Sequence, residues 1–254
     1  TSGQSGWYPN QSMYGYTKDI TDPNGWTPAD ELKTIGNNST FYSQPTNIAA
    51  IGDGQYIYMG DRWNPGALGK STFVWLPLNI EAGEDGVAAS MDYVDEWSFN
   101  AESGKVELPD SELVSQGKTA EASVAGSDAH PVEQAVDGIC DTTSEWGNSN
   151  YFAPASVPFS YTIDLEEVYD LNRFDLSTRL CNGSETYYQY RVEGSNDKVN
   201  WEQILDESSN TTAAFRSNPV SGSYRYVRLT VDNVVNAHNG NGAAWAAGLV
   251  EVEV

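Results

Sequence analysis

The chain has 254 residues, enough for two domains of about 100–150 residues each. Its 36 Asp+Glu against 13 Lys+Arg give a formal charge of −23, a field that repels phosphate backbones and anionic lipid headgroups. Nucleic acid and membrane surfaces are therefore excluded as first partners, and 39% hydrophobic content with 8 Trp, 15 Tyr and 7 Phe argues against an acidic disordered chain. No stretch approaches the ~20 apolar residues needed to span a bilayer. A zinc site of Cys/His type would need His130, His238, Cys140 and Cys181 together and is set aside.

Residues 1–10 contain no Met and no signal peptide with a basic start and an apolar middle; they are aromatic and turn-rich, as in the interior of a folded protein. The expectation is a fragment of a longer protein rather than a processed product. An acidic, Lys-poor chain rich in Asn, Ser, Thr and Gly suits a secreted protein. Sequons at Asn10, Asn37, Asn38, Asn182 and Asn210 make glycosylation conceivable. In that compartment Cys140 and Cys181 are expected to pair, two buried thiols being the alternative.

Helical periodicity is nearly absent; residues 28–33 hold the one run of helix formers, about one and a half turns. Strands 47–51 and 55–59 form a hairpin around Asp53-Gly54. A strand follows at 71–78, where Pro77 implies an edge or an exit. Segments 91–99 and 105–108 read as a further pair around 102–104. Residues 109–118 are polar and poor in β-formers, which separates a domain at 1–108 from one at 119–254 by a linker. Beyond it, short strands at 159–165, 173–177, 188–195, 201–205, 224–231 and 249–254 describe an antiparallel β-sandwich. The whole chain reads as all-β. In Tyr-Arg-Tyr-Val-Arg-Leu at 224–229, alternation puts Val227 and Leu229 on the core face.

Several pieces of the second domain resemble a known family. They are Ala-Val-Asp-Gly at 135–138 with Trp146, Tyr-Thr-Ile-Asp-Leu at 161–165, and Tyr-Arg-Val-Glu-Gly-Ser-Asn-Asp at 190–197 with Trp201. Tyr-Arg-Tyr-Val-Arg-Leu at 224–229 and Leu-Val-Glu-Val at 249–252 complete the set. In this order they are similar to the discoidin fold, the galactose-binding-like jelly roll of coagulation factor V/VIII C-type domains and family 32 carbohydrate-binding modules. The resemblance implies a structural Ca²⁺ tying the first loop to the last strand, with Asp137, Asp141, Thr143 and Glu251 among its six to eight oxygens. The alternative is that Asp137-Gly138 is only a turn and Asp141 a cap. Sugar binding needs an aromatic face and planar polar forks on loops at one end of a sandwich. Arg179 and Asn182 match the loop where the family often carries an Arg and an Asn. Trp245 and His238 supply an aromatic platform and a donor, and Tyr151 is a further candidate. Trp146 is either another or a core anchor, and Arg179 either touches ligand or forms a surface ion pair. A glycan on Asn182 would block the site.

The first domain carries a different resemblance. Ser-Gly-Trp-Tyr-Pro-Asn at 5–10, Tyr-Ser-Gln-Pro-Thr-Asn at 42–47, Tyr-Ile-Tyr-Met-Gly-Asp-Arg-Trp at 56–63 and Ser-Thr-Phe-Val-Trp-Leu-Pro-Leu at 71–78 look like C-terminal blades of glycoside hydrolase family 43. The likeness is to its branch with exo-β-1,3-galactanases. It implies a partial five-bladed β-propeller whose other blades come from an upstream segment or another chain. Gln44 would stand where a carboxylate base is expected, or else hydrogen-bond the blade backbone. Asp61 and Arg62 would form an ion pair, and Trp63 would pack between blades. No two carboxylates form an acid/base couple of the kind glycoside hydrolysis needs. The resulting expectation is the C-terminal portion of a secreted glycoside hydrolase, held on a galactose-containing polysaccharide by its binding module. The alternative is a non-catalytic extracellular protein, adhesive or structural, that keeps a propeller remnant. A Ser-His-Asp hydrolase is rejected for want of a nucleophile elbow.

Overall fold

The computed structural model describes residues 11–52, 54–63, 68–83, 86–139, 150–179, 181 and 185–254. The chain divides into two compact units, Thr1–Ser111 and Glu112–Val254. No helix among the described residues is long and apolar enough to cross a membrane.

In the first unit a ribbon pairs β1 (Ser12–Tyr14) with β2 (Lys33–Ile35); the helix formers before β2 make only a 3-10 turn, Ala29–Glu31. Four strands then run as an antiparallel meander: β3 (Gln44–Gly52), β4 (Gln55–Arg62), β5 (Thr72–Gly83) and β6 (Gly86–Ser90). Gly52 and Gly54, with φ of 110° and 74°, let the chain reverse between β3 and β4. Pro77 sits inside β5 opposite Ile57, but β6 begins to pair only at Asn79, so β5 is an edge on that side where the proline falls. A second ribbon joins β7 (Ser98–Asn100) to β8 (Lys105–Glu107), shorter than expected because 91–97 is not strand. One face of the meander buries Tyr58, Val74, Leu76 and Leu78, while Phe73 and Trp75 are 69% and 54% exposed on the other. On that open face Gln44, Asp61 and Phe73 stand in one row across three strands.

The turn before β3 is costly. Thr40, Phe41 and Tyr42 have φ of 50°, 54° and 56°, three successive residues in a left-handed conformation that disfavours L-residues by about 1–2 kcal/mol each. Polar groups hold it in place. Asn37 Oδ1 accepts from the Ser39 and Phe41 amides at 3.1 and 2.6 Å, and Thr40 Oγ1 accepts from the Ser12 amide at 2.6 Å. Ser43 Oγ donates to the Thr40 carbonyl at 2.6 Å, and Arg62 donates twice to that of Phe41, at 3.2 and 2.9 Å. Arg62 thus braces this turn, rather than forming the expected pair with Asp61. The sequons at Asn37 and Asn38 are 4% and 0% exposed, so they serve the fold and offer no room for glycans.

The second unit is a β-sandwich. Its strands are β9 (Thr119–Ala122), β10 (Phe159–Thr178), β11 (Thr186–Ser195), β12 (Glu202–Glu207), β13 (Phe215–Asn236) and β14 (Leu249–Glu253). The order is β12-β11-β13-β10-β14, with β9 on the free edge of the first half of β10. The expected strands at 159–165 and 173–177 are one strand. A register shift between Asp164 and Tyr169, with Glu166 at φ 72°, bends β10 in the gap between the two expected strands. Val227 and Leu229 lie in the core, each 1% exposed. Phe152, Tyr161, Phe174, Tyr188 and Tyr190 are its largest members, and the buried hydroxyls find partners: Tyr161 donates to the Val132 carbonyl at 2.8 Å, and Tyr190 accepts from Asn218 at 3.2 Å. The Asn210 sequon is also buried, its amide donating to the carbonyls of Tyr188 and Thr212.

Gly194 in β11 gives space to a tyrosine. A Cβ added there would come within 2.4 Å of the Tyr224 ring, and the ring is held by an equal constraint at Gly222, where the approach is 2.3 Å. Gly194→Ala is expected to destabilise the second unit by about 1–3 kcal/mol, read as a lowered urea midpoint. An unchanged midpoint would show that Tyr224 has another place to go.

Candidate functional site

The register brings four strand ends together at one pole of the sandwich. Thr178 at the end of β10 pairs with Leu249 at the start of β14, and Thr186 at the start of β11 pairs with Asn236 at the end of β13. The loops leaving these ends are stitched to one another. The Arg179 amide donates to the Gly248 carbonyl at 2.9 Å, the Ala237 amide to the Glu185 carbonyl at 2.8 Å, and Phe152 and Leu249 exchange both backbone hydrogen bonds.

Gly248 is the centre of this pole. Tyr188, 2% exposed, donates its hydroxyl proton to the Gly248 carbonyl at 3.1 Å and accepts from the Gly248 amide at 2.8 Å. Burial pushes the Tyr188 phenol well above its ordinary range, which keeps it protonated for that donation. A Cβ on Gly248 would meet the Tyr151 ring at 2.6 Å and Arg179 Cβ at 3.0 Å. The missing side chain therefore lets Arg179 lie down on Tyr151, with the guanidinium carbon 4.6 Å from the ring centroid. The same ring stacks on His130 at 3.9 Å and 21°. Tyr151 is 7% exposed and used up as the middle of this stack, so it orients Arg179 instead of presenting a face to solvent.

Arg179 itself is half-buried, and its Nε is fully shielded with no hydrogen-bond partner among the described residues. The expected alternative of a surface ion pair is not found among them. Trp245 is 66% exposed on a 3-10 turn, Ala244–Ala246, whose neighbours Ala243, Ala246 and Ala247 are buried at 1%, 0% and 5%. Small residues thus anchor the turn and leave the indole outside. His238 is exposed at the surface, with Nε2 paired to Glu185 Oε2, a carboxylate 5% exposed, and its own amide held by Asn236 Oδ1. The free, buried thiol of Cys181 lies between the fields of Arg179 and Glu185, and burial pushes its pKa up. The Cys140–Cys181 bridge expected from the sequence involves a residue outside the described ones. Cys140, Trp146 and Asn182 lie outside the described residues, as does the Asn10 sequon.

At the other edge of the same pole stand two of the residues named for a metal. Glu251 on β14 is 2% exposed, and among the described residues its oxygens accept only from the Gly138 amide, at 3.2 and 3.3 Å. Burial, with the negative Glu253 and Asp137 nearby, raises its pKa from 4.5 to about 9. Asp137 Oδ1 accepts from the Ile139 amide at 2.9 Å and from Asn150 Nδ2 at 3.0 Å. Asp141 and Thr143 lie outside the described residues, and no cluster of three or more His, Cys, Asp or Glu occurs among the described residues. In the first unit Gln44 opens β3, half-buried, opposite Asp61.

His130 and Glu185 escaped the sequence reading. His130 meets Tyr151 from 21 positions away and Glu185 meets His238 from 53 away, so no local motif marks either.

A family model described as F5/8 type C domain matches residues 118–248. Several solved structures are similar. Chitosan-binding module 2 from a chitosanase/glucanase of Paenibacillus sp. IK-5, in complex with chitotriose, is 19% identical over 55% of this chain and 97% of that one, with a TM-score of 0.43. The module CpGH89CBM32-4 of Clostridium perfringens, in complex with GlcNAc-α-1,4-galactose, is 18% identical over 57% and 96%, at 0.43. The family 32 module of C. perfringens NanJ, in complex with galactose, is 13% identical over 56% and 96%, also at 0.43. No curated protein matches the chain.

Tyr188→Phe removes both hydrogen bonds to Gly248 and leaves its buried amide without that partner. The expected cost is about 1–3 kcal/mol of stability, measured by denaturant unfolding, since an unsatisfied buried donor carries its full desolvation penalty. A variant as stable as the parent would show that water or another acceptor replaces the phenol.

Proposed function

This chain belongs to the F5/8 type C domain family, and on that footing we propose that its second unit is a carbohydrate-binding module. The observation that carries the reading is Arg179. Its guanidinium carbon lies 4.6 Å from the Tyr151 ring centroid, its shielded Nε has no hydrogen-bond partner among the described residues, and the neighbouring loop fixes an exposed Trp245. A pyranose offers what these two groups lack: an apolar C–H face for the indole, and neighbouring hydroxyl oxygens to accept from the planar fork. Glu185 holds His238 at the same pole, which leaves the imidazole to border the site, and Asn182 is proposed with them from the family's pattern. The ligand class is a neutral, galactose-containing glycan, since the net charge of −23 disfavours an anionic one.

We expect Arg179→Ala to weaken galactose binding about 10- to 100-fold by calorimetric titration, the equivalent of losing charge-assisted hydrogen bonds. Trp245→Ala should weaken it as well while leaving the fold intact, because the indole is exposed. Unaltered affinity in both variants would sink the site.

A structural Ca²⁺ belongs to the same proposal. Glu251 is a hard-oxygen donor buried without a cation among the described residues, and Asp137 reaches the same Gly138 corner. These two, with Asp141 and Thr143, would hold the ion, which supplies positive charge that keeps the carboxylates ionised and the first loop tied to β14. Without metal, the raised pKa of Glu251 makes folding less favourable as pH rises from 4.5 to about 9, because the unfolded chain loses that proton first. Ca²⁺ should therefore raise the melting temperature by more at pH 8 than at pH 5, and Glu251→Gln should abolish the response. A pH-independent Ca²⁺ shift would place the ion elsewhere.

For the parent polypeptide the proposal extends to a secreted hydrolase of the exo-β-1,3-galactanase type. Its support is the β3–β6 meander, which has the strand number and order of a propeller blade, and the row of Gln44, Asp61 and Phe73 across its open face. The test is release of galactose from β-1,3-galactan by the native protein that carries this chain. Loss of release in Gln44→Ala, with binding retained, supports a role for Gln44; a native protein that binds galactan but releases nothing favours the adhesive reading.

A further inference from the structure

The opposite pole of the sandwich carries a cleft of its own. It lies at the far end of β11, where the 196–201 loop turns into β12, and has a volume of about 280 Å³. Ten residues of β11 at a strand rise of ~3.3 Å put it roughly 30 Å from the Arg179 pole.

Its walls are fixed before any ligand arrives. Asp197 Oδ1 accepts from the amides of Val199 and Asn200 at 2.8 and 2.7 Å, and its Oδ2 accepts from Asn200 Nδ2 at 2.7 Å. The two amides and the Asn200 side chain hold its carboxyl down to about 2, so the loop stays organised around a charge. The Trp201 indole N–H donates to the Lys198 carbonyl at 3.1 Å, which sets the ring's orientation. Arg228 stacks on that ring at 3.9 Å and is itself held by Glu193 at 2.8 Å. Tyr224, trapped between Gly194 and Gly222, closes the floor and donates to Glu202 Oε2 at 2.8 Å. Glu202 is exposed, and its other oxygen has no partner among the described residues.

The chemistry of this cleft selects its ligand. Trp201 and Tyr224 present apolar surface, and Glu202 presents an acceptor. No Lys or Arg lines the cleft, so an anion finds no counter-charge. The cation–π capacity of Trp201 is already taken by Arg228, which disfavours a second cation on that ring. What remains is a neutral molecule with an apolar face and several hydroxyl donors. We infer that the cleft formed by Asn200, Trp201, Glu202 and Tyr224 is a second pyranose-binding site, separate from the Arg179 pole. A module with a site at each pole can hold two glycan chains at once, which gives it the geometry of a cross-linker.

The test uses the full chain, labelled with ¹⁵N and titrated with galactose, N-acetylglucosamine and glucose. The Trp201 indole N–H and the Asn200 side-chain amide report on this cleft; the Gly248 amide and Arg179 Nε–H report on the other pole. The expected result is saturable shifts of the Trp201 and Asn200 signals, with a dissociation constant of their own. Glu202→Gln, which keeps an acceptor for Tyr224 at an exposed position, should weaken that phase about tenfold and leave the Gly248 shifts unchanged. Movement at Gly248 and Arg179 alone would overturn the second site and leave the first reading standing. Movement at Trp201 and Asn200 alone would do the reverse. Silence at both poles with all three sugars would overturn both, and a Glu202→Gln variant that binds as the parent does would remove Glu202 from the site and overturn the cleft as described.

Discussion

The antiparallel ladder between β10 and β13 is the constraint on which the second unit depends. It runs from Phe159 opposite Val231 to Ser177 opposite Phe215, and the other strands are hung on its two outer edges. β11 takes the free edge of β13; β9 and β14 divide that of β10 between its two halves. The bend at 164–169 makes this division possible by changing the direction of β10 partway along. Because register is fixed at both ends of such long strands, a one-residue slip would turn the Tyr161, Ile163 and Leu229 side chains outward and scatter both sets of loops.

The two poles use the same local device. At each, a tyrosine is accommodated where a glycine omits a side chain, Tyr151 against Gly248 and Tyr224 against Gly194 and Gly222. The ring then becomes a rigid surface against which charged or polar groups are set. Rigid placement matters more than number of contacts here, since each group held in advance need not be ordered by ligand. The acidic composition fits this economy: among few cations, Arg225 and Arg228 are each matched to a carboxylate, while Arg179 is paired with a ring.

Much of the architecture was legible in the chain because alternation survives in strands with one buried face. Val227 and Leu229 follow from period two, and the order of the 161–165, 190–197 and 224–229 motifs marks the sandwich. What failed did so for physical reasons. The expected strands stop at 165 and resume at 173, yet a single left-handed residue, Glu166, lets one strand carry on between them. Tyr151 was placed on the surface because loop aromatics have no periodicity to say which way they face. A sequon records three residues and no burial, so Asn37, Asn38 and Asn210 looked like surface sites. Trp245 was readable as exposed because small alanines surround it; His130 and Glu185 were not, since only the tertiary fold brings them to their partners.

The left-handed run at Thr40, Phe41 and Tyr42 bears on how the first unit assembles. The run's compensating bonds come partly from neighbours, Asn37 and Ser43, and partly from Ser12, 28 residues earlier, and Arg62, 21 residues later. Until β1 and β4 are in place, the long-range part of that compensation is missing. The turn therefore couples β1, residues 37–43 and β4, so that loosening either strand also uncovers the cost of the left-handed run.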